Sequence, residues 1–224
     1  MGYLPIHLEM EGRRAVVVGG GEVALRKCRS LMEAGARVAV VAPALHPELA
    51  ALRDNGALAH HDRPYRTGDL DGAFIAFAAA DDPAVNGTVA KDAREAGILV
   101  TVADAPLSGS FISPSRVLRG DLVITVSTGG RCPALSRRIR QELERQFGPE
   151  YARTVQLLGS IREKLLTQRG DRPYNKQILN SLAGRDIPRM IREGCIPELN
   201  ALLLQTLGPG YSLDELAAGT KDPA

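Results

Sequence analysis

Gly19, Gly20 and Gly21, in "VVVGGGEVALRKCRSLMEAGARVAVVAP", lie between an apolar β-branched run and an amphipathic stretch. Gly19, Gly21 and Ala24 satisfy G-x-G-x-x-A in the strand-to-helix setting that gives the pattern a mechanism. The first glycine allows the tight turn, the second lets backbone approach a pyrophosphate, and the small third residue packs helix on sheet. Phosphate oxygens would meet the free N–H groups at the helix N-terminus. A glycine-rich turn with no ligand is the plain alternative. An Asp or Glu about twenty residues further on normally holds a ribose. Here Val40 to Ala44 offers neither a carboxylate nor an Arg or Lys for a 2'-phosphate. Backbone near Pro43 and Ala44 would have to do that work, and local chemistry leaves NAD and NADP open.

Two acids stand where strands should end. Asp104, in "VTVADAPLSGSF", directly follows an apolar strand and is expected to be partly desolvated, which would make it a better base near neutrality. Its alternative role is to cap the turn before Ala105-Pro106. Asp81 is a candidate on the cofactor edge, although Asp81-Asp82-Pro83 also reads as a helix cap. In "VSTGGRCPALSRRIR", Ser127, Thr128, Gly129 and Gly130 precede a helix, with Arg131 and Arg138 nearby, a combination suited to an anion pocket. The same loop could simply cap an amphipathic helix with solvated arginines. The histidines lack metal-ligand spacing, His60-His61 reads as a surface pair, and no metal site is expected.

Positioning these groups takes alternating elements. Strands are expected at Arg14 to Val18, Val38 to Val41, Phe74 to Ala79 and Ile98 to Ala103, with helices at Val23 to Ala34 and Pro83 to Ala96. Gly35 and Gly97 stop the two helices. Repeated βα units favour an α/β fold with a doubly wound parallel sheet, whose ligands collect beyond the carboxyl ends of the strands. Phe111 to Val117 and Leu122 to Ser127 read as two further strands about Arg119-Gly120-Asp121. Leu135, Ile139, Leu143 and Phe147 then recur on one helical face. Short helical stretches follow from Tyr151 to Leu207, broken by Gly170, Pro173, Gly184, Pro188, Gly194 and Pro197. The tail from Gly208 is Gly/Pro-rich and then polar, and its end is expected to be mobile.

Composition excludes several classes. Apolar residues at 44% and charged residues at 24% fit a globular chain of 224 residues with one good core and a smaller appendage. A net charge of +2, with 4% aromatics and no Trp, speaks against nucleic acid. Apolar runs are too short to span a bilayer, and the opening "MGYLPIHLEMEG" lacks the pattern of a secretory signal, so a cytoplasmic protein is expected. Cys28, Cys132 and Cys195 fit neither a disulfide framework nor a zinc site.

"LPIHLEMEGRRAVVVGGGEVALRK", "AAADDPAVN", "VADAPLSGSFISPS" and "VSTGGRCPALSRRIRQELE" occur in the order found in the precorrin-2 dehydrogenase/ferrochelatase module of siroheme synthase, which this chain resembles from Leu4 to about Phe147. The resemblance implies a Rossmann-type NAD domain over residues 1–113, a dimerisation region over 114–150 and a small helical domain over 151–224. It implies NAD-dependent oxidation of the tetrapyrrole precorrin-2 to sirohydrochlorin, with ferrous iron insertion in bifunctional members, and a homodimer. The family's essential aspartate falls on Asp104, and its NAD contacts fall on Glu22, Val23, Pro43 and Ala44, which favours NAD. Ala80 stands where Thr is common and Thr128 where Ser is common. No methyltransferase domain follows in the sequence, so a separate enzyme is expected to supply precorrin-2. A non-catalytic NAD- or tetrapyrrole-binding regulator on the same fold is the alternative.

Overall fold

The computed structural model of the chain describes residues 2–167 and 176–217. It divides into two compact units, Met1–Ser113 with Gly129–Arg131, and Pro114–Thr128 with Cys132–Ala224.

The first unit is built on five parallel strands: β1 (Arg14–Val18), β2 (Arg37–Val41), β3 (Ala59–His61), β4 (Ile75–Ala78) and β5 (Leu99–Val102), in the order β3-β2-β1-β4-β5. Three helices cross between them: α1 (Glu22–Glu33), α2 (Pro47–Asp54) and α3 (Pro83–Glu95). Strands buried on both faces need continuous apolar runs, and "RAVVV" and "RVAVV" supply them. Alternation divides β1 between two cores. Ala15 and Val17 pack with Leu25, Leu31, Leu49 and Phe77, whereas Val16 and Val18 pack with Val89, Ala90, Ala93 and Val100. This is the α/β doubly wound, Rossmann-type sheet. Its order reverses between β1 and β4, where such sheets open a ligand crevice.

Elements α2 and β3 are absent from the sequence expectation. β3 is a three-residue edge strand whose "AHH" has no apolar alternation, so only its pairing with β2 identifies it. His60 is correspondingly half-buried, its Nε2 2.9 Å from the Ala42 carbonyl oxygen, and not one of a surface pair.

The second unit opens with an antiparallel hairpin, β6 (Ser115–Arg119) and β7 (Leu122–Val126), followed by α4 (Pro133–Gln146) and α5 (Glu150–Thr167). Then come α6 (Lys176–Ala183), α7 (Ile187–Glu193), α8 (Ile196–Leu207) and α9 (Leu213–Ala217). Leu157, Ile161, Leu182, Ile187, Leu199 and Leu203 form their shared core. Pro188 and Pro197 start helices, as a residue without an N–H does at no cost, and Gly194 ends α7 in the left-handed region. The end of the tail, where mobility is expected, lies outside the described residues. Tyr211 and Leu216 are buried in the helical core, which anchors the chain through Ala217. Gly170 and Pro173 lie outside the described residues.

Candidate active site

The strands of the first unit end in register. Val18 pairs with Val41 on one side and Ala78 on the other, and Ala78 pairs with Val102. The next residues continue the ladder, with Gly19 N–H donating to Val41 O at 3.0 Å, Ala79 N–H to Val18 O at 2.8 Å and Ala103 N–H to Ala78 O at 2.9 Å. Gly19, Ala42, Ala79 and Ala103 therefore leave the sheet together. Gly20, Gly21, Pro43, Ala44, Asp81 and Asp104 follow them onto one edge.

Each glycine of the turn has its own reason. Gly19 has φ +125°, and a Cβ there would stand 2.5 Å from the Ala79 carbonyl carbon and 2.9 Å from Ala80 N, inside backbone that cannot move aside cheaply. Gly20 faces the Ala44 carbonyl with no room for a Cβ, and its own carbonyl accepts the His46 N–H at 2.7 Å. This closes the 42–46 loop onto the turn. Gly21 differs from both. Its φ of −86° and ψ of −167° suit any residue, and a Cβ would meet nothing within 4 Å. The space it leaves open lies at the N-terminus of α1, where Gly21 is the N-cap and no side chain caps the first turn. Uncapped N–H groups beside an open approach are what a pyrophosphate needs, so the residues fit a dinucleotide.

Around that turn, Glu22 is exposed with Oε2 3.6 Å from His46 Nε2, Val23 is half-buried, and Pro43 and Ala44 are exposed. His46 Nδ1 accepts the Glu48 N–H and caps α2. Asp81 is exposed. The cap of α3 is its neighbour Asp82, whose Oδ1 accepts the Ala84 N–H at 2.8 Å.

Asp104 follows β5 and is exposed, which corrects the expectation of a desolvated carboxylate. An apolar strand ends two residues earlier at Val102, and the chain has by then stepped off the sheet. A hydrogen bond orients the carboxylate instead: Asn86 Nδ2 donates to Asp104 Oδ1 at 3.0 Å. Asn86 is itself 1% exposed. Spacing gives it no role in sequence, and the one available signal is an amide inside the apolar face of α3.

The second-unit candidates have partners of their own. Thr128 Oγ1 accepts the Cys132 N–H at 3.1 Å and lies 3.2 Å from Ser136 Oγ, so it ties the loop to the start of α4. Ser127, Gly129, Gly130 and Arg131 are exposed. Gly129 and Gly130 both have positive φ, and Gly129, Gly130 and Arg131 count with the first unit. Arg138 is exposed and pairs with Glu142 at 3.1 Å, one turn along α4. Among the described residues no group of three His, Cys, Asp or Glu side chains could hold a metal ion. None of the described helices is long and apolar enough to cross a membrane.

Residues 6–115 match an NAD(P)-binding family model, and residues 119–146 match the central domain of a sirohaem biosynthesis protein. Siroheme synthase of Pseudomonas paraeruginosa is 38% identical over 212 residues, covering 95% of this chain and 46% of the relative. The enzyme of the same name from Chromobacterium violaceum is 45% identical over 163 residues, covering 73% and 35%. The chain thus spans less than half the length of these relatives. The solved structure of SirC, a precorrin-2 dehydrogenase, superposes with a TM-score of 0.70 at 25% identity, covering 86% of this chain and 98% of that one. This chain belongs to the precorrin-2 dehydrogenase family. As a family member with an NAD(P)-binding unit over its first half, it takes NAD as cofactor. The precorrin-2 dehydrogenase-type sheet carries both the glycine turn and Asp104 on its ligand edge.

Proposed function

We propose that the chain oxidises precorrin-2 to sirohydrochlorin with NAD, as a cytoplasmic homodimer. The observation that carries this reading is one sheet edge holding an uncapped helix N-terminus at Gly21 and an oriented carboxylate at Asp104. Strands β1 and β5 are two spacings apart, about 10 Å, so one half of the dinucleotide can reach from the β1 turn toward Asp104 while the other runs the opposite way over β2. Bound NAD would accept the hydride and leave as NADH. The chain supplies the rest. Gly19, Gly20 and Gly21 admit the pyrophosphate, with Glu22 and Val23 opening α1 beside it. Pro43 and Ala44 hold the ribose through backbone, and Asp81 borders the cleft. Asp104 takes the proton that leaves with the hydride. Gly129, Gly130 and Arg131, which belong to the same unit as Asp104, contact the substrate's carboxylates through amide and guanidinium groups.

The dimer is supported by apolar side chains that the second unit leaves uncovered. Leu118 on β6 is 36% exposed and Leu135 on α4 is 47% exposed. Iron insertion into sirohydrochlorin is a second, weaker activity of the same cleft, in which Asp104 assists loss of the pyrrole protons. Sirohydrochlorin given Co²⁺ or Fe²⁺ under anaerobic conditions is metallated faster than in a protein-free control if this holds, and at the control rate if it does not.

Asp104→Asn tests the main reading. The amide keeps the shape and removes the base, so NADH binding and melting temperature are retained while turnover falls by roughly a hundredfold to ten-thousandfold. Near-normal turnover would reduce Asp104 to a turn residue.

A further inference from the structure

We propose that Asn86 is a positioning residue for Asp104, and that it selects Oδ2 as the oxygen left to take the substrate proton; the role rests on reading Asp104 as the base. Asn86 lies in the first turn of α3 and is 1% exposed. A buried amide requires partners for every donor and acceptor. Its Oδ1 accepts the Ala80 N–H at 2.9 Å, and its Nδ2 donates to the Ala80 carbonyl at 2.9 Å and to Asp104 Oδ1 at 3.0 Å.

The Ala80 pair settles which way the amide points. Reversing it would set N–H against N–H and oxygen against oxygen, so Nδ2 has to face Asp104. Its remaining hydrogen needs an acceptor, which keeps Asp104 Oδ1 unprotonated. A proton arriving at this carboxylate therefore goes to Oδ2. The same amide grips Ala80, whose neighbour Ala79 closes on Gly19. One buried side chain thus fixes the orientation of the base relative to the end of β4 and the glycine turn. A misplacement of the base by a fraction of an ångström to an ångström is enough to cost turnover without touching cofactor affinity.

A double-mutant cycle with Asp104→Asn separates positioning from general support of the fold. Two Asn86 variants are used. Asn86→Leu keeps volume and removes the amide, and Asn86→Asp keeps the acceptor for the Ala80 N–H while losing both Nδ2 donations. Precorrin-2 turnover with NAD, NADH affinity by fluorescence and melting temperature are measured for each. With wild-type Asp104, both variants are expected to lose roughly ten- to hundredfold in kcat, with NADH affinity changed less than about twofold. In the Asp104→Asn background the same changes should cost less than about threefold more, because the group they position is already gone. Equal losses in both backgrounds, or a parallel loss of NADH affinity, would make Asn86 a structural residue and overturn the proposal. So would wild-type kcat in Asn86→Asp. Full turnover by Asp104→Asn alone would instead overturn the reading of Asp104 as base, and this role with it. An inactive Asp104→Asn beside fully active Asn86 variants would leave the base in place and remove only the positioning.

Discussion

Replacing Gly19 and Gly21 in turn by alanine should separate the fold's need for glycine from the cofactor's. At Gly19 the methyl must occupy a backbone conformation of φ +125° and stand 2.5 Å from the Ala79 carbonyl carbon. The dihedral costs about 1–3 kcal/mol and the forced shift of packed backbone about 1–3 kcal/mol more. The sum, roughly 2–6 kcal/mol, is a large share of the ~5–15 kcal/mol that holds a domain folded and lowers the melting temperature by roughly 4–24 °C at about 2–4 °C per kcal/mol for a chain of this size. At Gly21 the backbone suits alanine and nothing lies within 4 Å. The entropy gained by removing a glycine, about 0.4–1 kcal/mol, is offset by alanine's weaker N-capping. Stability should therefore stay within about 1 kcal/mol of wild type. The methyl instead fills the approach to the α1 N-terminus and should weaken NADH by about 1–3 kcal/mol, or about 5- to 150-fold in Kd. Circular dichroism melts and NADH fluorescence titrations measure both quantities. Wild-type affinity in Gly21→Ala would refute the pyrophosphate site, and an unchanged melting temperature in Gly19→Ala would refute the close approach of the turn to β4.

Cofactor choice follows from the end of β2, where Val40 to Ala44 brings no cation for a 2'-phosphate; kcat/KM should be higher with NAD than with NADP, and the reverse ranking would place the deciding residue elsewhere. Asp69 accepts both guanidinium arms of Arg63, at 2.6 and 2.8 Å, and this pairing holds its carboxyl below the usual 3.8. A lowered folded-state value means stability that is present above the ordinary carboxylate range and lost as pH falls through the depressed one. Asp69→Asn should therefore melt earlier than wild type at neutral pH, with the gap closing on acidification below that range; a gap independent of pH would contradict the pairing. Burial pushes the Cys28 thiol up to about 12, whereas Cys132 is exposed. In the native protein a thiol reagent should label Cys132 and spare Cys28 until denaturant is added, and rapid native labelling of Cys28 would show that α1 opens readily.

The sheet was legible because its chemistry is local. β1, β2, β4 and β5 need apolar residues on both faces, and such runs announce themselves between Gly and Pro signals. Strand boundaries shifted where burial ended before apolarity did: Phe74 and Ala79 flank β4, and Phe111 to Pro114 precede β6. β3 was hidden because "AHH" owes its extended form to a neighbour, not to its own pattern. α2 was hidden because eight residues carry only one buried side chain, Leu49. The glycine turn could be read from spacing, since two of its glycines answer constraints within thirty residues of chain, Ala42 and Ala44 for Gly20 and an open helix end for Gly21, whereas Gly19 answers to Ala79, on the neighbouring strand's end. Asp104 was recognisable as a strand-end acid, but its exposure was not. Side-chain burial after a strand depends on what the chain does next. Asn86 was illegible because its partners, Ala80 and Asp104, meet it only when β4, α3 and β5 are assembled.

One edge of this sheet is proposed to couple NAD reduction to oxidation of a tetrapyrrole. Incubating the purified protein with precorrin-2 and NAD under anaerobic conditions, while NADH and the sirohydrochlorin spectrum are followed together, tests it most directly. The two products should appear in equal amounts, at a rate proportional to protein, and fail to appear with Asp104→Asn. Tight binding of NAD or precorrin-2 with neither product formed would contradict it and leave a binding protein on a dehydrogenase fold.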